Sequence, residues 1–332
     1  LRACLRRPVG GWAIVGTAAL LVCAATLLAL GGRGWWMFEL FSHWRVQYLL
    51  ALMVLVPALL IGRKWAIAAL AGAALLYNAA LVAPRVIEPR ASFAVDTTQR
   101  VMLVNVSSDN DAHERLLDAV RRHRPDLLVV LEVTPEWARA LRGLDAMFSR
   151  IEMRPRADNF GIAFLSRVPT QSVAIRRHLD PMVPDIRARL RFGDRSITLL
   201  GVHMRPPVSG AYARARNRAL ARMARTVRSI DGPLLVAGDL NTSPWSPHFR
   251  DLTGETELID GRTGIAPTWT GLGRLLALPL DHVLHGPELA VRQFRVGEDI
   301  GSDHRPVIVD LGLRIQRDAR NTVARGPLFH YN

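Results

Sequence analysis

Long apolar runs separated by short polar clusters dominate the first 84 residues of the sequence. The runs cover residues 11–32, 46–62 and 65–83, and none of them contains Asp, Glu, Lys or Arg. A helix of about 20 apolar residues spans a bilayer. We therefore predict a transmembrane anchor over residues 1–84, formed by three helices and surrounded by membrane lipid.

Basic residues near the ends of these runs predict the orientation of the anchor. Arg2, Arg6 and Arg7 precede the first run, and Arg63 and Lys64 separate the second run from the third. Short loops rich in Lys and Arg stay in the cytoplasm. We therefore expect a multi-pass protein of the inner (cytoplasmic) membrane. Its three crossings place the C-terminal part outside, in the periplasm of a Gram-negative cell.

A cleaved signal peptide is the alternative interpretation of the first apolar run. The apolar segment of a signal peptide is usually shorter, and it is not followed by further long apolar runs. Here two more runs follow, at residues 46–62 and 65–83. The pattern favours a permanent anchor.

The pattern after residue 84 is typical of a soluble domain. We predict a linker over residues 85–98, one domain over 99–314 and a tail over 315–332. Short apolar runs predict strands over 100–106, 126–132, 161–165, 172–175, 188–192, 196–203, 233–237, 281–284, 290–296 and 307–311. Helical patterns are fewer and cover 111–123, 135–144 and 210–230. Because helices do not alternate strictly with strands, the pattern favours a mixed-sheet sandwich over a doubly wound sheet.

Charge and cysteine content narrow the choice of partners only slightly. The net charge of +14 favours anionic partners, such as phosphate esters, nucleic acid or lipid headgroups. The two cysteines, Cys4 and Cys23, both lie in the predicted anchor, so the soluble domain holds no internal disulfide. No sequence feature indicates an obligate protein partner.

Polar residues occur where several predicted strands end or begin. They are Asn105, Glu132, His203, Asp239, Asn241, Asp281, Asp303 and His304. Carboxylates suit a hard divalent cation. Amide and imidazole groups can stabilise phosphate oxygens, and a positioned base can take a proton from an attacking water. The combination predicts metal-assisted cleavage of a phosphate ester.

The order of these motifs resembles that of the endonuclease/exonuclease/phosphatase superfamily. The similar segments are NV, PDLLVVLEV, NFGIAFLSR, GVHMRPP, GDLNTSPWSP, TWT, LDHVL and GSDHRPV, spread over residues 100–312. The resemblance is to bacterial, membrane-anchored members. It implies an α+β fold like that of pancreatic deoxyribonuclease, a four-layer α/β/β/α sandwich of mixed sheets.

The resemblance also implies a metal site. Glu132 matches the family's metal-binding Glu. Asp303 and Asn105 match residues that complete the site beside it. The implied cofactor is Mg²⁺ or Mn²⁺.

The remaining matched residues have implied catalytic roles. Asp239 and Asn241 match the pair that positions the attacking water. His304 matches the catalytic His, and Asp281 matches the Asp that orients it. His203 matches a His that contacts the scissile phosphate in several branches of the superfamily.

These residues predict a membrane-anchored phosphoesterase that hydrolyses a phosphodiester, as nucleases do. A lipid or small-molecule phosphatase or phosphodiesterase is the first alternative, and a catalytically silent membrane scaffold is the second. A row of Arg side chains on the helix at 210–230 could contact DNA or lipid phosphates. Such a row more often forms a solvated face.

Overall fold

The computed structural model describes residues 10–87 and 94–315. Residues 10–87 form a helical block, and residues 94–315 form the domain that the family resemblance predicts to be catalytic, called the catalytic domain below. The helices of the block are α1 (Gly11–Leu28), α2 (Trp36–Leu40), α3 (Arg45–Ile61) and α4 (Trp65–Ile87), with 3₁₀ turns at Ala29–Gly31 and Phe41–Trp44. Three segments of the block, 21, 26 and 23 residues long, are long and apolar enough to cross a membrane.

Small and apolar side chains pack the three long helices together. Ala19 and Cys23 of α1, Leu52 of α3 and Ala71 of α4 belong to one buried cluster. A polar contact accompanies it, because Asn78 donates to the Thr26 hydroxyl at 3.0 Å. An Asn in such a helix commonly bonds a neighbouring helix in this way.

The catalytic domain contains twelve strands and four helices within the described residues. The strands are β1 (Gln99–Asn105), β2 (Leu127–Leu131), β3 (Arg150–Arg154), β4 (Ile162–Ser166), β5 (Thr170–Arg176), β6 (Asp185–Phe192), β7 (Arg195–His203), β8 (Leu234–Asp239), β9 (Ile259–Asp260), β10 (Asp281–His285), β11 (Leu289–Val296) and β12 (Val307–Leu313). The helices are α5 (His113–His123), α6 (Pro135–Leu141), α7 (Gly210–Arg228) and α8 (Pro247–Gly254).

The strands form two mixed sheets of six strands each. The first has the order β11-β12-β1-β2-β4-β3, and the second has the order β5-β6-β7-β8-β10-β9. Only β1 with β2 and β7 with β8 pair in parallel, and the other pairs are antiparallel. This mixture is why the sequence lacks strict alternation of strand and helix.

Helices cover the outer face of each sheet, and the inner faces pack on each other. Leu103 and Val129 of the first sheet share a buried cluster with Leu199 and Leu235 of the second. The alternate residues of the first sheet pack against α5 and α6, and those of the second pack against α7 and α8. Both faces of the central strands are buried, so these strands appear in the sequence as continuous apolar runs.

The four-layer α/β/β/α fold predicted from the sequence is confirmed, with three apolar helices before it. Four elements were not predicted: α2, β3, α8 and the two-residue strand β9. Strand β3, with the sequence RIEMR, lies at a sheet edge, where charged side chains are tolerated and the apolar signal is weak. Helix α2 lies between the first two apolar runs, where no helix was predicted.

Candidate active site

Three functional side chains of the second sheet lie on neighbouring strands at one level. His203 ends β7 and pairs in register with Asp239, which ends the parallel strand β8. Asp281 begins the antiparallel strand β10 and also pairs with Asp239. These three side chains are far apart in the sequence, but they meet at the same end of neighbouring strands in the sheet.

The first sheet brings a second group of residues to the same place. Asn105 ends β1, and Glu132 follows β2 in the left-handed region, at φ 63°. Leu103 pairs with Val307, so the residues just before β12, including His304, lie beside the end of β1. The Ser302 hydroxyl donates to the Asn105 carbonyl at 2.8 Å and accepts the His304 N–H at 3.0 Å.

Two local features of the backbone explain the motif Gly-Asp-Leu-Asn. A Cβ atom on Gly238 would lie 1.9 Å from the carbonyl oxygen of Val202, so only glycine fits between these strands. Asn241 has φ 49°, in the left-handed region that Asn tolerates better than most residues. The chain thus turns back, and the Asn241 N–H donates to Asp239 Oδ1 at 2.8 Å.

Asp239 is buried at the centre of the site. Its Oδ2 atom accepts from the side-chain amides of Asn105 and Asn241, each at 3.3 Å. The same oxygen lies 3.7 Å from Nε2 of His304 and 3.8 Å from Nε2 of His203. Burial, together with the carboxylate of Asp281, raises the pKa of Asp239 to about 8, although His304 partly opposes the shift.

His304 forms a buried pair with Asp281. The distance from His304 Nδ1 to Asp281 Oδ2 is 2.8 Å, which leaves Nε2 facing Asp239. Burial alone would lower the pKa of His304, but the carboxylates of Asp281 and Asp239 raise it to about 10. The backbone N–H of Asp281 also donates to the hydroxyl of Thr268 at 3.1 Å, which fixes the start of β10.

His203 lies between two carboxylates of the site. Its Nε2 is 4.0 Å from Oε1 of Glu132 and 3.8 Å from Oδ2 of Asp239. Its ring packs against Phe160, with 5.4 Å between the ring centroids. Burial, reinforced by His304, lowers its pKa, so a neutral imidazole is favoured here.

The donor chemistry fits a hard divalent cation. Glu132 accepts from the Asn105 amide and from the Ser108 N–H, each at 3.0 Å, so both of its carboxylate oxygens are held in place. Asp303 is held by the indole N–H of Trp269 at 2.9 Å. Oxygen ligands of this kind suit Mg²⁺ or Mn²⁺. Burial and the carboxylate of Asp281 raise the pKa of Asp239, and a nearby cation would instead favour its charged form.

One combination of ligand atoms among the described residues is close enough to hold a metal ion. Atoms of Asp239, Asp281 and His304 all lie within 4.8 Å of one another. Because Asp281 and His304 already bond each other, a metal ion bound there would compete with that pair. The predicted set of Glu132, Asp303 and Asn105 offers oxygen ligands in the same site.

The site opens into a cavity of about 350 Å³. Glu132, Asp239, Asp303 and His304 line it, together with His203 and Asn241. Leu40, His43 and Trp44 of the helical block also line it. No motif in the sequence indicated these three residues.

The comparison with protein families agrees with this geometry. A profile described as "Endonuclease/Exonuclease/phosphatase family" matches residues 102–304, which is more than half of the chain. The chain belongs to the endonuclease/exonuclease/phosphatase family. It is therefore a hydrolase that acts on phosphoric esters, as the sequence predicted. A search of curated proteins finds no match.

Solved structures share the fold at low sequence identity. A family member from Bacteroides vulgatus is 17% identical, with TM-score 0.57, and the match covers 66% of this chain and all of that one. D. rerio TDP2 complexed with a single-strand DNA product is 14% identical, with TM-score 0.56, covering 65% of this chain and all of that one. The human Nocturnin catalytic domain with bound sulfate is 15% identical, with TM-score 0.54, covering 67% and 97%.

Proposed function

We propose that this chain is a membrane-anchored, divalent-metal-dependent phosphoesterase that hydrolyses its substrate by direct attack of water. The observation that carries the proposal is that Asp239 and His304 face one cavity together with Glu132, while buried Asp281 holds His304 through Nδ1. The nuclease-like phosphodiesterase activity predicted from the sequence stays a prediction.

The geometry suggests a role for each group around the attacking water. Asp239 is fixed through Oδ1 by the Asn241 N–H and through Oδ2 by two long amide contacts, so its carboxylate is positioned to accept a hydrogen bond from water. His304 is held through Nδ1, which leaves Nε2 to stabilise the charged phosphate or to transfer a proton. Neutral His203 supplies a further hydrogen bond to the phosphate or the leaving oxygen.

In this proposal Glu132, Asp303 and Asn105 hold the cation. A bound Mg²⁺ or Mn²⁺ neutralises negative charge on the phosphate oxygens. Asn105 donates to both Glu132 and Asp239, so it also keeps the two carboxylates at a fixed separation.

Hydrolysis of soluble esters by the full chain in detergent tests the proposal. The substrates are bis-p-nitrophenyl phosphate and p-nitrophenyl phosphate, each with Mg²⁺, with Mn²⁺ and with EDTA. We expect activity that requires the cation and is lost in Asp239→Asn. Full activity in Asp239→Asn or in EDTA would reject the scheme.

A matched control is available for the Asp239 variant. Asp231 is exposed, and it is not among the residues that line the catalytic cavity. Asp231→Asn makes the same chemical change there, so we expect normal activity. A loss in Asp231→Asn equal to that in Asp239→Asn would point to a general effect of surface charge.

The membrane topology is part of the proposal and has its own test. The segment after α1, the first turn of α3 and the end of α4 each contact the catalytic domain, through Arg33, Gln47 and Arg85. Arg63, between α3 and α4, lies at the opposite end of the helices. The predicted orientation then puts the domain outside the cytoplasm. A fusion of alkaline phosphatase after Asn332 should be active. If the alkaline phosphatase fusion is inactive and a fusion to a reporter that works only in the cytoplasm is active, this orientation is rejected.

A further inference from the structure

The segment that joins the first two long helices forms one wall of the catalytic cavity. We call residues 29–44 the inter-helix segment. Leu40 and Trp44 of this segment are half-buried and line the cavity, together with Glu132 and His304 of the catalytic domain. The cavity is therefore complete only when the helical block and the catalytic domain are together.

A buried ion pair fixes this wall. Glu39 of the inter-helix segment pairs with Arg216 of α7, and neither side chain is exposed at all. The Ser246 hydroxyl donates to Glu39 at 2.7 Å, and Arg216 also donates to the backbone carbonyl of Asn241 at 2.8 Å. The wall is thus joined through Arg216 to the loop that carries Asn241.

His43 of the inter-helix segment adds an unused hydrogen-bond donor to the cavity. Its Nδ1 lies 2.9 Å from the Ser243 hydroxyl and accepts the Ser243 backbone N–H at 3.3 Å, and on this contact we assign the ring proton to Nε2. His43 is buried and lines the cavity, and its Nε2 has no partner among residues 10–87 and 94–315. A buried donor without a partner is costly, and an oxygen of a bound substrate would satisfy it.

Exposed apolar side chains lie at the cavity and on the loop that contacts the first turn of α3. Val208 lines the cavity and is 72% exposed, and Leu275 is 92% exposed. Gln47, in the first turn of α3, donates to the carbonyl of Ala277 at 3.1 Å, which holds the loop of Leu275 beside that helix end. The loop therefore presents apolar side chains where we propose that the bilayer surface lies.

The lining of the cavity disfavours nucleic acid as its occupant. None of the described residues that line the cavity is Lys or Arg. Proteins that bind nucleic acid neutralise several phosphates with Lys and Arg. The lining combines one polar, acidic end with apolar side chains such as Leu40, Trp44, Phe160, Val208 and Leu278.

From these observations we propose that the substrate is a phospholipid-like phosphate ester drawn from the same bilayer. Its phosphate reaches Asp239 and His304, and its apolar part lies against Leu40, Trp44 and Val208. This inference rests on the proposed function and specifies its substrate. The oxygen of water bonds to phosphorus, and the ester P–O bond breaks with its electron pair on the leaving oxygen. That oxygen takes up the proton released by water, so the products are an alcohol and a phosphate.

Activity of the full chain in mixed micelles tests the inference. The probes are dioleoyl and dihexanoyl forms of phosphatidic acid, phosphatidylglycerol and phosphatidylethanolamine, with bis-p-nitrophenyl phosphate and a single-stranded oligonucleotide in parallel. For at least one headgroup we expect kcat/KM for the dioleoyl form to exceed that for the dihexanoyl form by about tenfold or more, because only long chains fill the apolar wall.

Two variants test whether that preference depends on the wall of the cavity and on the exposed loop that carries Leu275. Trp44→Ala should reduce the dioleoyl preference by about tenfold, because it removes the largest apolar side chain that the inter-helix segment contributes to the cavity. If Trp44→Ala does not fold, Leu275→Asn replaces it, since this side chain is almost fully exposed. Leu275→Asn should raise KM for the dioleoyl form by about threefold and leave kcat unchanged. Ile315→Asn is the matched control, because Ile315 is also exposed but follows β12 at the end away from the cavity.

The possible failures are distinguishable. Equal rates on both chain lengths, or a higher kcat/KM for the oligonucleotide, would overturn the lipid inference. If the soluble ester is still hydrolysed in that case, the proposed function stands. An unchanged dioleoyl preference in both Trp44→Ala and Leu275→Asn would overturn it as well. No cation-dependent hydrolysis of any probe would reject the proposed function, and the lipid inference with it.

Discussion

Two walls of the catalytic cavity place their charged groups in opposite directions. In the wall built from strand ends, Asp239 and His304 face the cavity, with 3.7 Å between Oδ2 of Asp239 and Nε2 of His304. In the wall built from the inter-helix segment, Glu39 points away from the cavity and into the catalytic domain, where it meets Arg216. Leu40 is left to face the cavity. The first wall is suited to chemistry, and the second is suited to attachment and to holding an apolar group.

Removing the central groups of the strand-end wall should have the largest effect on activity. His304→Ala removes a positioned proton donor or acceptor, which typically contributes about 10²–10⁴-fold to rate. We expect kcat on bis-p-nitrophenyl phosphate to fall by that range, measured at a temperature where the variant is folded, because losing the buried pair with Asp281 should also lower its melting temperature. His178→Ala is the control, because His178 is half-exposed and pairs with Asp185 outside the cavity. A fall of less than about threefold in His304→Ala would contradict the assigned role.

Breaking the attachment of the second wall should mainly affect stability. Glu39→Gln leaves the Arg216 charge buried without its partner, which should cost about 3–5 kcal/mol. Thermal unfolding of the full chain in detergent measures the change. The double variant Glu39→Met with Arg216→Met removes both charges and should recover much of the loss.

An exposed ion pair between the same two parts of the chain provides the comparison. Arg33 pairs with Asp251, and the two side chains are 61% and 39% exposed. Arg33→Gln should therefore change stability by only about 0–1 kcal/mol. Equal effects of Glu39→Gln and Arg33→Gln would show that the buried pair does not hold the wall.

The charges of the strand-end wall also predict how stability depends on pH when a chelator is present. The pKa of Asp239 is raised to about 8 and that of His304 to about 10, so the folded chain keeps protons that the unfolded chain releases. A raised folded-state pKa gives stability that is lost as the pH rises through it. We expect the melting temperature in EDTA to fall from pH 7 to pH 10, and to fall less in His304→Ala. A rise over this range would contradict the charge arrangement.

The smallest effect is expected far from both walls. Arg218 and Arg225 lie on the exposed face of α7. Changing both to Gln should leave activity on bis-p-nitrophenyl phosphate unchanged and alter stability by less than about 0.5 kcal/mol each. A salt-dependent loss of oligonucleotide hydrolysis in this variant would instead favour the nuclease interpretation.

The strand-end wall was accessible to sequence analysis because its residues stand in short, local motifs. Asp239 ends an apolar strand and Asn241 follows it, and Asp303 and His304 come shortly before another apolar strand. The change from an apolar run to polar residues marks where each strand ends. Once the family resemblance supplied the fold, these ends were expected to meet, and the structure brings them together.

The second wall gave no comparable signal. Glu39 seemed to be one acidic residue in a short loop between two apolar runs, and His43 belonged to no motif. Their partners, Arg216 and Ser243, lie 177 and 200 residues further along the chain. In the sequence, Arg216 could not be distinguished from the other Arg residues of a basic helix. Its burial depends on what covers that helix, which no local pattern shows.

The sequence by itself determined the three apolar helices, the strands and the polar residues at their ends, because hydrophobic periodicity and short motifs are local properties. The tertiary structure alone decided that the inter-helix segment closes the cavity. The closure depends on packing between parts of the chain that no local pattern connects. It also depends on a buried ion pair, in which each charge needs its partner because neither is solvated by water.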